Sequence, residues 1–229
     1  MTTSPASSAS ELLSRVGSNL AAVHRRIEAC GHDPAQVRLV AVTKTFGPEE
    51  VRVAFALGLR DFGENYVDEL CDKRAVLEGE AVTWHYLGAL QTNKIARAIR
   101  CAEVLSGVSR ARELEKIATR KAGATIDVQV DFSGQAGRNG APPEEVEGLV
   151  TRARELNLNV RGLMVVAPLG EAQTRHAFAE TVALADRLGL KERSMGMSDD
   201  FEIALELGTT ELRLGRALFG PRQSRGALT

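Results

Sequence analysis

Between residues 11 and 30, Leu12, Leu13, Val16, Leu20, Val23 and Ile27 recur at the spacing of one helical face, and the polar residues fill the rest. The next pattern is different: Val37-Arg38-Leu39-Val40-Ala41-Val42-Thr43 is a short β-branched apolar run and reads as a strand. The two periods then alternate along the chain. Further strands are predicted at 60–64, 82–87, 103–106, 125–132, 160–166, 193–197 and 211–214. Helices are predicted between them at 48–57, 67–77, 93–100, 110–122, 142–156, 171–188 and 199–207. Pro48 with Glu49 and Glu50 suits a helix opening, where a missing N–H costs nothing and negative charge meets the positive dipole end; Gly58, Gly79 and Gly123 suit helix ends. The residues after 214 read as a short tail, and residues 1–9 as a polar, disordered one ahead of a single domain at 10–229.

Eight strands, each followed by helical or turn sequence, with no Pro/Gly/Ser-rich linker between them, indicate an α/β fold of the single (β/α)8 TIM-barrel type. The rival is a doubly wound sheet. Its G-x-G-x-x-G fingerprint after the first strand is absent, and Thr43-Lys44-Thr45-Phe46-Gly47 stands there instead.

A barrel points the C-terminal ends of all its strands to one face, and sites form on that face. Lys44 closes the first strand. Partial desolvation there would disfavour its ammonium form and suit a Schiff-base lysine, whereas snorkelling into water would leave it ordinary. The same face collects Asn65 from strand two, His85 from strand three, Asp131 from strand five, Met164 from strand six, Ser198 after strand seven, and Arg213 with Gly215 from strand eight. Ser198 is placed as a helix N-cap and Gly215 as a turn with open N–H groups; each is an ordinary feature alone, and together they sit where this fold often binds phosphate. His85, between Trp84 and Tyr86, also reads as a packed or hydrogen-bonded histidine.

Composition narrows the field. The chain has 229 residues, 44% hydrophobic and 26% charged, with 29 basic against 30 acidic, so no overall field points to nucleic acid or a membrane surface. Aromatics at 4% offer no base-stacking platform. Cys30, Cys71 and Cys101 form no C-x-x-C pair, and Cys71 and Cys101 read as small core residues of a reduced protein. The four histidines match no zinc spacing. No signal peptide is visible, and no apolar run approaches the roughly 20 residues of a membrane span, so a cytoplasmic protein is expected.

Trp84-His85-Tyr86-Leu87-Gly88-Ala89-Leu90-Gln91-Thr92-Asn93-Lys94 closely resembles the signature of the pyridoxal-phosphate homeostasis proteins, also called proline synthase co-transcribed homologues. Leu39 to Thr45, Phe62-Gly63-Glu64-Asn65-Tyr66-Val67, Gly162-Leu163-Met164, Ser194-Met195-Gly196-Met197-Ser198-Asp199-Asp200 and Leu212 to Gly220 agree in the same order. The resemblance implies a fold-type III barrel like the N-terminal domain of alanine racemase, without a second, β-rich domain. It implies pyridoxal 5'-phosphate (PLP) held as a Schiff base on Lys44, its phosphate on Ser198, Gly215 and Arg216, its ring nitrogen facing Arg213, and Asn65, His85 and Met164 near the ring or its rim. Two positions depart from the pattern. Arg216 stands where a small hydroxyl residue is common, and can add a charged contact or point away. Arg138 stands where a lysine is common in a loop that is a candidate second site; arginine keeps the charge but forms no Schiff base at neutral pH.

For such a family the expected role is PLP buffering or delivery without substantial turnover, by a monomer whose recipients would be PLP-dependent apo-enzymes. Arg213 can only donate, which favours an unprotonated ring nitrogen and a weaker electron sink. The second acid/base residue of a racemase would come from an additional domain, and residues 221–229 are too few to build one. A weak PLP-dependent racemase, a phosphosugar aldolase using Lys44 and a non-catalytic adaptor are the alternatives.

Overall fold

The computed structural model describes residues 5–135 and 137–221. The first helix, α1, spans Pro5–Ala29, so residues 5–9 continue the helix instead of forming part of a disordered tail; residues 1–4 of that expected tail lie outside the described residues. Then come β1 (Arg38–Val42), α2 (Pro48–Ala56), β2 (Asp61–Glu64), α3 (Val67–Arg74), β3 (Thr83–Tyr86) and α4 (Ile95–Cys101). The middle of the chain forms β4 (Val104–Val108), α5 (Ala111–Arg120), β5 (Thr125–Val130), α6 (Pro143–Glu155) and β6 (Asn159–Val165). It ends with α7 (Glu171–Arg187), β7 (Glu192–Ser194), α8 (Phe201–Glu206), β8 (Glu211–Leu214) and α9 (Arg216–Phe219). The strands pair in sequence order, all parallel, and β8 returns to β1, with Val40 facing both Asp61 and Arg213. The expected eight-stranded barrel is the one observed.

Apolar side chains on the outward faces of the strands meet the helices. Phe62 and Trp84, neighbours on β2 and β3, are fully buried with ring centroids 5.1 Å apart. Each such side chain contributes roughly 1.5–3 kcal/mol through burial. α1 packs against α2, α8 and α9, and Asn19 Nδ2 donates to Leu218 O at 2.8 Å. The helix ahead of β1 therefore fills the gap that the very short α9 leaves in the outer ring. No helix among the described residues is long and apolar enough to cross a membrane.

The structure corrects several expectations. The residues after β8 are not simply a tail, because Arg216–Phe219 form α9. β7 stops at Ser194 rather than 197: Gly196, at φ 97°, a value that favours glycine, leaves the extended conformation, although Met195 N–H and Gly196 O still bond to β8. β4 runs two residues past Ser106, with a register shift between Leu105 and Val108. Cys71 and Cys101 are not independent core thiols: α3 and α4 lie side by side and bring their Cα atoms to 5.2 Å, and the two form a disulfide. A separation of 30 residues left that pairing invisible to local pattern.

One irregularity matters for the site. Ile126 pairs with Val160 but Asp127 pairs with Gly162, so Arg161 is an extra residue in β6. Without it, Arg161 and Met164, three apart, would point to opposite faces. With it, Arg161 binds Asp127 inside the barrel and Met164 lines the pocket above. Gly162 is needed at this bulge because a Cβ there would lie 2.0 Å from Glu192 O.

Candidate functional site

At the C-terminal end of the barrel, one cavity of about 300 Å³ is lined by Lys44, Asn65, Met164, Ser198, Arg213, Gly215 and Arg216, seven of the eight residues that the family resemblance assigns to PLP; Asp131 and Arg138 are outside its lining. Lys44 lies half-buried in the turn directly after β1. Val42, Leu87, Val166 and Met197 add an apolar wall.

Arg213 is the third residue of β8 and points inward, almost wholly buried. Its Nη1 donates to Ser194 O at 2.6 Å and Ser194 Oγ at 2.8 Å, and its Nη2 to Val165 O at 2.7 Å. Burial pulls its pKa below the ordinary value against the opposing charges of Glu211, Asp200 and Asp127. A guanidinium stays charged even so, and it presents donors only. Ser198 Oγ accepts from Ala217 N–H at 3.0 Å, which leaves the hydroxyl proton to donate elsewhere. Asp200 Oδ1 accepts from Met197 N–H at 2.5 Å and so braces the same loop.

The Arg216 guanidinium is paired with Asp199 at the rim, where the two side chains are 56% and 73% exposed. Of the two alternatives for this side chain, the structure has it engaged with Asp199, while the start of α9 runs along the cavity. The first amides of a helix find no acceptor within it. Those of Gly215 and Arg216 thus join the Ser198 hydroxyl as anion-seeking groups.

His85 is the exception. It is fully buried and its Nε2 lies 2.9 Å from Asp61 Oδ1, below the pocket and outside its lining. The reason is parity: Leu87, two residues on and facing the same way, takes the pocket layer, so His85 occupies the layer beneath. The hydrogen-bonded reading of His85 is the one the structure supports. Arg138 bonds Val166 O and Ala167 O, both at 3.3 Å.

Pattern reading also missed what lies behind the Lys44 turn. Lys73, 5% exposed, donates to Thr43 O at 2.7 Å, Glu64 Oε1 at 2.6 Å and Glu69 Oε2 at 3.0 Å. Thr45 has φ 70°, rare for a β-branched residue, and its N–H donates to Glu69 Oε2 at 3.0 Å. Burial raises the Glu64 pKa, and the charge and hydrogen bond of Lys73 oppose this. The only sequence signal was Glu69 and Lys73 four apart on a helix, which usually marks a solvated face.

Comparison with known proteins fits this geometry. The family described as "Alanine racemase, N-terminal domain" matches residues 13–223. The pyridoxal phosphate homeostasis protein of Pseudomonas aeruginosa is 40% identical over 223 residues, covering 92% of this chain and 97% of that protein. This chain belongs to the pyridoxal phosphate homeostasis protein family. The structure of PipY from Synechococcus elongatus with PLP bound is 32% identical with a TM-score of 0.79, covering 90% of this chain and all of that one. Alanine racemase from Corynebacterium glutamicum, 19% identical with a TM-score of 0.74, shares the barrel fold; the match covers 91% of this chain and 62% of the racemase.

Proposed function

We propose that this chain binds PLP in the cavity at the C-terminal end of the barrel, as a Schiff base on Lys44, and acts in PLP homeostasis by buffering or delivery without substantial turnover. The observation that carries the reading is convergence: a half-buried strand-end lysine, a buried arginine and a cluster of anion-seeking donors share one small cavity. The donor set fits an aromatic aldehyde carrying a phosphate. When bound, PLP supplies a carbonyl that condenses reversibly with an amine and a ring that withdraws electrons.

Each protein group then has a task. Lys44 supplies the amine. The Ser198 hydroxyl and the amides of Gly215 and Arg216 take the phosphate, Met164 packs against the ring, and Asn65 borders it. Arg213, held by Ser194 and Val165, points a fixed cation at the ring nitrogen and disfavours its protonation. The lining carboxylates support the low-turnover part of the reading. Among the described lining residues, the carboxylates are Asp199, which pairs with Arg216, and Asp200, which braces Met197 N–H. Neither is an uncommitted base. The proposal extends to a cytoplasmic monomer with PLP-dependent apo-enzymes as recipients.

The test is an absorbance titration with PLP, borohydride reduction and peptide mapping. The label is expected on the Lys44 peptide and absent from Lys44→Ala. A variant that keeps the visible band would overturn the reading, and α-proton exchange from added L- or D-amino acids by the holo-protein would replace the carrier with an enzyme.

A further inference from the structure

We propose that Lys73, together with Glu64 and Glu69, is a positioning unit that holds the backbone on both sides of Lys44 and so sets where its amine is presented. This rests on the reading of Lys44 as the PLP lysine.

The geometry brackets one residue. On its N-terminal side, the Thr43 carbonyl accepts from Lys73 Nζ at 2.7 Å and from Phe46 N–H at 2.9 Å, while the Thr43 hydroxyl donates to Glu64 Oε1 at 2.6 Å. On its C-terminal side, Thr45 N–H donates to Glu69 Oε2 at 3.0 Å. Lys73 joins the two carboxylates, at 2.6 Å and 3.0 Å, so both neighbours of Lys44 are tied to a single ammonium with its three donors satisfied. Thr43 and Glu64 are fully buried. None of these side chains lines the cavity, so contact with a ligand is not their role.

Two features argue for positioning over plain stability. Buried ion clusters contribute little net stability compared with apolar packing, so their value here lies in a defined geometry. Thr45, meanwhile, sits in the left-handed region at φ 70°, which a threonine adopts only when its surroundings hold it there. The Phe46 N–H to Thr43 O bond closes this turn and Glu69 adds the side-chain acceptor for Thr45 N–H; the Glu69 side chain is 21% exposed, so replacing it leaves no fully buried void.

The experiment uses the full chain carrying Glu69→Ala, Glu69→Gln and the double variant Glu69→Ala/Thr45→Gly. Without ligand, Glu69→Ala is expected to speed hydrogen exchange at the Thr45 amide about tenfold, the worth of one hydrogen bond to a charged group. With PLP, borohydride-trapped labelling of Lys44 should slow by a similar factor, about tenfold. Thr45→Gly should restore most of that rate, because glycine takes a positive φ unaided. Glu69→Gln keeps an acceptor for Thr45 N–H and should fall between wild type and Glu69→Ala; it also stands in if the alanine variant does not fold. Labelling of Lys44 at the wild-type rate in Glu69→Ala, or slow labelling that Thr45→Gly does not rescue, overturns the proposal. If the wild type itself takes no label, the functional reading falls, and unchanged Thr45 exchange in Glu69→Ala then overturns the hold as well.

Discussion

The two ends of the barrel interior use the same strands, a residue or two apart, for opposite purposes. At the N-terminal end, charges answer one another. Arg161 reaches Asp127 at 2.6 Å and Glu211 at 2.8 Å, Arg38 approaches Asp61 and Glu211, and His85 meets Asp61. At the C-terminal end, Ser198, Gly215 and Arg216 line the cavity, with Ser198 Oγ accepting from Ala217 N–H. Ser194 joins the two ends, donating to Glu211 at 2.6 Å and accepting from Arg213 at 2.8 Å. Below, ion pairs between strands tie the interior together; above, Arg213 is held by Ser194 and Val165 while Ser198, Gly215 and Arg216 border open space.

That contrast says substitutions below should cost stability and those above should cost binding. The largest effect expected is from Arg161→Met, which strands Asp127 and Glu211 without their shared cation. The loss should be about 3–5 kcal/mol, read as a fall in Tm on the order of 10 °C. An unchanged Tm would break the comparison.

Acid should act through the same end. Burial works to raise the Glu211 pKa, but the charges of His85 and Arg161 and the hydrogen bonds from Ser194 and Arg161 outweigh it and hold it at about 2, against an ordinary 4.5. Its folded pKa is depressed, so its contribution is complete above the ordinary value and is lost as pH falls through the folded one. On the order of 3 kcal/mol should disappear across that window. Glu64, raised by burial, works in the opposite sense, so the comparison to make is denaturant unfolding of wild type against Glu211→Gln, which should lack this part of the acid limb.

Above, Ser198→Ala should weaken PLP binding about tenfold, while the apo-protein loses no more than about 1 kcal/mol with the Ala217 cap. Titration and thermal melting of the same sample check both halves. The smallest effect belongs to Arg216→Ala. Its exposed pair with Asp199 is worth under about 1 kcal/mol, and a phosphate contact through the backbone survives the change. A large loss of affinity would mean that the side chain leaves Asp199 for the ligand.

The sequence by itself determined the barrel and most of the cavity wall. Period two against period three to four is a local signal, and once it assigned β1 and β8, the rule that parallel strand ends share a face brought Lys44 and Arg213 together. Only the tertiary structure decided depth and pairing. Which layer His85 occupies depends on the stagger between β2 and β3. Whether Arg161 and Met164 can both face inward depends on one extra residue opposite Asp127. Cys71 met Cys101, Arg216 met Asp199, and Lys73 left the solvated face its spacing suggested for a buried one, because each depends on a neighbour far away in the chain. Local pattern reports which way a side chain faces; what it meets there is set by register and by the helix that packs behind it.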